Sequence, residues 1–178
     1  MLQSTRSFLL ALPVAWFLAG CASYSGSGLT PGTSTQADTR TVMGEPAAVH
    51  KAPAGAAFAE SWEYPKGPLG RHTFMARFDG SGRLIAIDQV LTVNEVAKLK
   101  PGEATRDDVR RTLGRPGIIT VARNGIESWD YAAHAVDVPM RKIRLIVNFD
   151  ARGLVSSAGE SYDPEEFNPN GGAGTGQN

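Results

Sequence analysis

The chain has 178 residues, of which 42% are hydrophobic, so it has enough apolar residues to form a sizeable core. Its 18 basic and 18 acidic residues give a formal net charge of zero, which excludes strongly basic nucleic-acid binding and a general attraction to anionic lipid. Because it contains one cysteine, it cannot form an internal disulfide.

The N-terminal segment has the features of a bacterial signal peptide. Arg6 precedes an apolar segment over residues 8–17, and Leu18-Ala19-Gly20-Cys21 follows it. The apolar segment is shorter than the roughly 20 residues that a membrane-spanning helix needs. Its charge, apolar stretch and small residues are typical of a signal that is removed. Leu18-Ala19-Gly20-Cys21 resembles the lipobox of bacterial lipoproteins, which implies lipidation of Cys21 and removal of residues 1–20.

The alternative is an ordinary secretory signal followed by a free thiol at Cys21. Residue 22 is Ala and not the Asp that retains many lipoproteins at the inner membrane. The resemblance to lipoproteins therefore implies a protein held at the outer membrane by its N-terminal acyl chains, palmitate included, and facing the periplasm. Residues 21–28 are rich in Ser and Gly, which predicts a flexible tether.

Two segments of the chain repeat each other at a spacing of about 70 residues. Leu29-Thr30-Pro31-Gly32 corresponds to Leu99-Lys100-Pro101-Gly102, and each is followed by a Gly-x-Pro sequence at Gly44 or Gly114. Further along, Trp62-Glu63-Tyr64 corresponds to Trp129-Asp130-Tyr131, and Phe78-Asp79 corresponds to Phe149-Asp150. The recurrence in one order predicts two units, at residues 29–92 and 93–163.

Each unit is predicted to begin with a turn and a short helix. The Pro-Gly pair makes the turn, and the polar segment after it opens the helix. Thr39 and Met43 form the inward pair of the first helix, and Val109 and Leu113 form that of the second. The glycines of the Gly-x-Pro sequences are predicted to end the helices in the left-handed conformation, and the prolines prevent continuation.

Strands follow the helix in each unit. Apolar and polar residues alternate over 73–78 and 142–149, glycine-containing turns follow at 79–82 and 150–153, and further strands are predicted over 83–91 and 154–161. Residues 93–98 form a candidate short helix. The predicted fold class is α+β, with each unit placing a short helix or helices on a three- to four-stranded antiparallel sheet. Residues 164–178 are rich in Gly, Asn and Pro, which predicts disorder.

The order of these features resembles the BamE (SmpA/OmlA) family of outer-membrane lipoproteins. The shared features are the Pro-Gly turn, the polar helix, Gly-x-Pro, Trp-x-Tyr and Phe-Asp-x-x-Gly, and the second unit is the better match. The resemblance implies a non-enzymatic accessory role at the β-barrel assembly machinery, with contacts to its protein subunits and to phosphatidylglycerol. Typical members carry one unit, whereas this chain carries two.

The duplication is also similar to that of the secreted β-lactamase inhibitor proteins. Those proteins are tandem repeats of a helix–helix–sheet unit, and they present a concave, aromatic-rich sheet to an enzyme. The chain lacks their expected pair of disulfides. This second resemblance implies an alternative function as a periplasmic protein-binding module or enzyme inhibitor.

Two groups of side chains are candidates for binding. Trp62 and Tyr64 share one strand face, as do Trp129 and Tyr131, because residues two apart point the same way. They are predicted either to pack beneath the helix as core or to lie on an open sheet face as partner contacts. Three arginines of the second helix form the other group, either as a solvated helix face or, by the family resemblance, as contacts to lipid headgroups. These are Arg106, Arg110 and Arg111.

The sequence predicts no catalytic, metal or cofactor site. Its three histidines, His50, His72 and His134, lack the spacing of metal ligands, and His72 and His134 are expected at strand or loop surfaces. The loops at 65–71 and 132–141 occupy equivalent places but differ in sequence, so they either merely connect strands or recognise a partner. The leading prediction is an adaptor or scaffold on the periplasmic side of the outer membrane.

Overall fold

The computed structural model describes residues 23–135 and 141–162. The predicted signal at 1–20, Cys21 and the predicted disordered tail at 164–178 lie outside the described residues. The first half contains α1 (Gln36–Met43), β1 (Ala48–Lys51), β2 (Glu60–Lys66), a 3-10 turn (Pro68–Gly70), β3 (His72–Phe78) and β4 (Leu84–Gln89). The second half contains α2 (Val93–Val96), α3 (Arg106–Leu113), β5 (Ile118–Val121), β6 (Glu127–His134), β7 (Lys142–Phe149) and β8 (Val155–Tyr162).

The strands form two four-stranded antiparallel sheets. The orders are β1-β2-β3-β4 and β5-β6-β7-β8, so within each sheet the paired strands are consecutive in the sequence. An eight-residue helix precedes each sheet. We call α1 with β1–β4 the first unit and α2–α3 with β5–β8 the second unit. The two sheets and short helices are consistent with the predicted α+β class.

Both eight-residue helices begin with a capping box. The Thr35 hydroxyl accepts a hydrogen bond from the Asp38 backbone N–H, and the Asp38 carboxylate accepts one from the Thr35 N–H. Thr105 and Asp108 form the same arrangement at α3. Each pair satisfies backbone donors that an open helix end would leave unbonded. The predicted helix starts are therefore explained by local sequence.

The helix ends differ in one respect from the prediction. Gly44 and Gly114 have positive φ angles of 86° and 83°, but their ψ angles are −169° and −159°. They are therefore not in the left-handed helical conformation, because the chain leaves each helix in an extended direction towards β1 or β5. This combination of angles is open essentially only to glycine.

The helices pack on the sheets through the predicted residues. Thr39 and Met43 are buried in α1, and Val109 and Leu113 are buried in α3. Full burial of an apolar side chain of this size contributes about 1.5–3 kcal/mol. The strands predicted around 73–78 and 142–149 are β3 and β7, with alternating burial along β7. β4 ends at Gln89 rather than 91.

The described part of the predicted tether contacts the first unit. The Ser23 N–H donates to the Val42 oxygen at 2.5 Å, and the Tyr24 hydroxyl lies 2.7 Å from Nδ1 of His72. Gly26 is buried, with no room for a Cβ beside Ile87. Residues 23–28 are thus bonded to the fold and do not extend freely from it. The unit boundaries at 29–92 and 93–163 stay predictions.

The two units meet at the face of the first sheet that lies opposite α1. Glu63 of β2 is buried there, and its Oε1 accepts the Arg115 backbone N–H at 2.9 Å. At the end of β6, the Ala133 oxygen accepts a hydrogen bond from Nη1 of Arg71 at 3.4 Å. No helix within residues 23–135 and 141–162 has the length and apolar character needed to cross a bilayer.

Candidate functional site

The four aromatic residues proposed as partner contacts are core residues. Trp62 and Trp129 are 2% and 1% exposed, and Tyr64 and Tyr131 are buried as well. Their interpretation as an exposed contact surface is therefore wrong, because α1 and α3 cover that face of each sheet. Each tryptophan also packs against a phenylalanine, with ring centroids 4.7 Å apart for Trp62 and Phe78.

Each tryptophan contacts the same two kinds of charged side chain, a strand glutamate and a helix arginine. The indole N–H of Trp62 donates to Oε1 of Glu60 at 2.9 Å, and that of Trp129 donates to Oε1 of Glu127 at 2.6 Å. On the other side, a helix arginine lies over each ring, with distances to the ring centroid of 4.2 Å for Arg40 and 4.9 Å for Arg110. The duplicated motif thus builds two equivalent Arg–Trp–Glu clusters, in which cation–π contacts contribute about 0.5–2 kcal/mol.

Charge and burial set the ionisation of these clusters. The hydrogen bond from Lys51 lowers the pKa of Glu60, and the one from Arg106 lowers the pKa of Glu127. Burial raises the pKa of Tyr64 to about 12 and raises that of Tyr131 further. The Tyr131 hydroxyl donates to the Gly114 oxygen at 3.2 Å. These carboxylates are therefore ionised and these phenols neutral at pH 7, as suits structural rather than proton-transfer roles.

The three arginines proposed to contact lipid do not form one free patch. Nε of Arg106 donates to Glu127 at 2.8 Å, and its guanidinium lies 5.1 Å from the Phe149 ring centroid. Arg110 lies over Trp129, whereas Arg111 donates to Asp108 at 2.6 Å on another side of the helix. Their contact with lipid stays a prediction.

A groove of about 790 Å³ separates Arg111 from the first sheet. Phe58, Arg77 and Asp88 line one wall, and Asp108 and Arg111 line the other. Arg77 pairs with Asp88 across two strands, so the charges on both walls are already balanced. In the part of the chain that the structure describes, no three His, Cys, Asp or Glu residues are grouped so that they could hold a metal ion.

Two histidines meet where the units join. The rings of His72 and His134 stack with centroids 4.9 Å apart and an interplanar angle of 28°. Burial and the neighbouring His134 lower the pKa of His72. Both histidines were expected at surfaces, and no local pattern in the sequence links them because they lie in different units.

The edge of the second sheet is exposed along its whole length. All four residues of β5 are exposed, and Val121 retains 65% of its surface. The Ala122 N–H donates to the Ile126 oxygen on the β6 side at 2.8 Å. Because alternate residues of an antiparallel edge strand point their backbone groups in opposite directions, Ile119 and Val121 direct theirs away from β6.

On the corresponding edge of the first sheet, polar side chains of β1 bond to carboxylates of β2. In β1, Lys51 bonds to Glu60 at 2.8 Å and His50 bonds to Glu63 at 3.0 Å. At the corresponding positions, β5 has Val121 in place of Lys51 and Thr120 in place of His50. β5 was not among the predicted strands, although the β-branched residues at 118–121 are typical of a strand.

A cavity of about 310 Å³ adjoins this edge. It is lined by Leu69, Arg71, Gly117, Ile118, Asp130, Ala132 and Arg144. Leu69 comes from the first unit, lies in the loop proposed for partner recognition, and is 70% exposed. Its φ of 58° is uncommon for a residue other than glycine and costs about 1–3 kcal/mol. The other loop proposed for recognition includes residues 136–140, which lie outside the described residues.

Comparison with known proteins gives one domain assignment. No curated protein and no solved structure gives a match to this chain. Among protein families, the outer membrane protein assembly factor BamE domain matches residues 89–159. The match runs from the last residue of β4 into β8 and leaves the rest of the first unit outside it. The chain therefore contains a BamE domain at residues 89–159.

Proposed function

We propose that this protein is a non-enzymatic adaptor in the assembly of outer-membrane β-barrel proteins. The BamE domain at residues 89–159 carries the proposal. We extend the BamE-like description to the first unit, and the supporting observations are the paired capping boxes and the two Arg–Trp–Glu clusters. An adaptor needs exposed protein surfaces, which the β5 edge and the Leu69 loop supply.

The proposed mechanism is tethering at the membrane. Lipid on Cys21, at the periplasmic side of the outer membrane, raises the local concentration of the protein near membrane partners. More than one acyl chain makes such an anchor stable. Since Ser23 is bonded to Val42, the proposed lipid would hold the first unit close to the bilayer and leave the second unit to face partners.

Crosslinking and affinity purification from detergent-solubilised outer membranes test the adaptor function. The tagged full chain should retain subunits of the β-barrel assembly machinery, as mass spectrometry of the bound proteins would show. A tagged outer-membrane lipoprotein without a BamE domain is the control for non-specific recovery. Recovery of one soluble periplasmic enzyme without machinery subunits would contradict the proposal and favour the enzyme-inhibitor alternative.

The lipid anchor has a separate test. In detergent phase separation, the wild-type protein from membranes should enter the detergent phase, and Cys21→Ala should stay in the aqueous phase. Equal partitioning of both proteins would show that Cys21 carries no lipid.

Headgroup contact through Arg106, Arg110 and Arg111 is tested with the same Cys21→Ala protein. Headgroup phosphates must compete there with Glu127 and Asp108, which already bond two of the guanidinium groups. Flotation with phosphatidylglycerol vesicles at low salt should recover the protein, and replacing the three arginines by glutamine should reduce that recovery. Absence of binding at low salt removes the contact from the proposal.

A further inference from the structure

We propose that the β5 edge and the cavity beside Leu69 bind an extended segment of a partner protein, which adds a fifth strand to the second sheet. The segment has alternating apolar side chains and carries carboxylates at its ends. This inference rests on the adaptor function and names the surface through which the adaptor holds a partner.

The backbone of β5 supplies the first argument. Within the described ranges of the chain, β5 is an edge strand, and the N–H and C=O groups of Ile119 and Val121 point away from β6. Such a row of open backbone groups is a template for another strand. Extended peptides bind in this way at many sheet edges, where the main chain supplies the hydrogen bonds.

The first unit supplies the second argument, because it contains the same strand in protected form. Soluble proteins often block exposed edges with charged residues, especially lysine. β1 carries Lys51 at the register where β5 carries Val121, and β5 itself contains no charged residue. The edge strand of the second unit therefore lacks the charged residue that protects β1. Such an unprotected edge is open to pairing with another strand.

The cavity supplies the third argument. It opens beside Gly117 and Ile118, on the sheet face that Ile118 shares with Asp130. Leu69 and Ala132 line it together with Ile118, so an apolar side chain of an added strand finds apolar neighbours there. The left-handed conformation of Leu69 holds a large apolar side chain at the surface, and such strain is often found at binding sites.

Charge identifies the ends of the bound segment. Arg115 precedes β5 and Arg123 follows it, and both are exposed. Among the described residues, neither guanidinium forms an ion pair, whereas Arg77, Arg106 and Arg111 are each paired with a carboxylate. No Asp or Glu occurs between residues 115 and 126. A segment with acidic flanks complements this surface, and a second copy of β5 would bring cations without carboxylates.

Fluorescence anisotropy of a labelled peptide tests the site on the purified full chain. The probe is Glu-Glu-Thr-Val-Thr-Val-Thr-Val-Glu-Glu, and the comparison peptide has Lys in place of each Glu. We expect the acidic peptide to bind and the basic one to bind at least about tenfold more weakly. Equal affinity for the two peptides would overturn the charge assignment.

Ile119→Pro is the decisive variant, because it removes a backbone donor that points away from β6 and leaves the pairing with β6 intact. It should raise the Kd for the acidic peptide about tenfold or more. Val49→Pro makes the same change at the matching register of β1 and should leave the Kd unchanged. Circular dichroism of both variants checks that they are folded. Equal effects of the two prolines would overturn the proposal.

A carboxylate at the edge gives an independent test. Val121→Glu places a negative charge near Arg123, so it should weaken binding of the acidic peptide without removing a backbone donor, and it should not weaken binding of the basic peptide. Sedimentation of the free chain tests the other occupant: a dimer that Ile119→Pro dissociates would show that a second copy covers the edge, and it would overturn the assignment of a partner segment.

Purification from membranes with Ile119→Pro separates this inference from the adaptor function. If the wild type retains the machinery subunits and the variant does not, the result supports both the edge proposal and the adaptor function. Recovery of those subunits with the variant as well as the wild type overturns the edge proposal and leaves the adaptor function standing. Peptide binding that Ile119→Pro abolishes, without recovery of any machinery subunit by the wild type, supports the edge and contradicts the adaptor function.

Discussion

Glu63 and Arg115 join the two units through one hydrogen bond. Oε1 of Glu63, in β2, accepts the backbone N–H of Arg115, just beyond α3, at 2.9 Å. The other carboxylate oxygen lies 3.0 Å from Nε2 of His50. A buried side chain of the first sheet therefore fixes the position where the second unit's helix ends, and both units depend on it.

Glu63→Ala should lower the free energy of unfolding by about 1–3 kcal/mol, because the backbone N–H of Arg115 loses the acceptor of a partly buried hydrogen bond. Urea denaturation followed by circular dichroism measures this change. Glu103→Ala is the control, since Glu103 is exposed and forms only a surface ion pair with Lys100 at 3.7 Å. A loss no larger than that of the control would show that the bond contributes nothing to stability.

Alanine substitutions at the two glycines that end the helices should separate two costs in stability. One is the backbone strain of a positive φ, and the other is a clash between the two units. Gly44→Ala and Gly114→Ala both force alanine into positive φ, at a cost of about 1–3 kcal/mol. A Cβ on Gly44 meets nothing within 4 Å, but one on Gly114 lies 2.8 Å from Cδ of Glu63. Gly114→Ala should therefore be less stable than Gly44→Ala by about a further 1–3 kcal/mol.

Thermal denaturation of the two glycine variants measures the difference. Equal melting temperatures would mean that Glu63 moves aside without loss of its bond to Arg115.

Iodide quenching tests the burial of the tryptophans in solution. Trp16→Phe leaves Trp62 and Trp129 as the fluorescent indoles, and both are almost fully buried. The folded protein should be quenched much less than N-acetyltryptophanamide, and unfolding in urea should raise the quenching towards that of the free compound. Strong quenching of the folded protein would reinstate an exposed aromatic surface.

Mild acid should weaken the protein through His72. Burial and the stacked His134 lower the pKa of His72 below its usual 6.5, so protonation favours the unfolded chain. The stability that depends on neutral His72 is complete above pH 6.5 and is lost as the pH falls towards the lowered pKa. The lowered pKa values of Glu60 and Glu127 act only at and below about 4.5, so they do not interfere near pH 5.

Urea midpoints at pH 7 and pH 5 measure this effect. The urea midpoint of the wild type should be lower at pH 5 than at pH 7, and the decrease should be smaller for His72→Gln. An equal fall in both proteins would assign the acid sensitivity to other groups.

Local features of the fold could be predicted from the sequence. The short helices after the Pro-Gly turns, the inward helix pairs and the alternation along β7 each depend on near neighbours in the chain. The repeat then supported each assignment in one unit by its counterpart in the other. The ψ angles of Gly44 and Gly114 were missed because they depend on where the next strand lies.

Contacts between distant residues could not be predicted. The Trp-x-Tyr spacing places two rings on one strand face, but it does not say whether a helix covers that face. Nothing local links Glu63 to Arg115 or His72 to His134, since each pair joins different units. The open edge of β5 depends on its position beside β6 at the end of the sheet, which the local sequence does not specify.

The order of strands within each sheet has a consequence for how the chain folds. Every ladder joins consecutive strands, so each sheet can form by closing short loops, and such local pairing is fast. Association of the units then comes last, because its bonds link residues 52 and 62 positions apart. The chain can thus complete its first sheet early, with the carboxylate of Glu63 in place before Arg115 of the second unit reaches it.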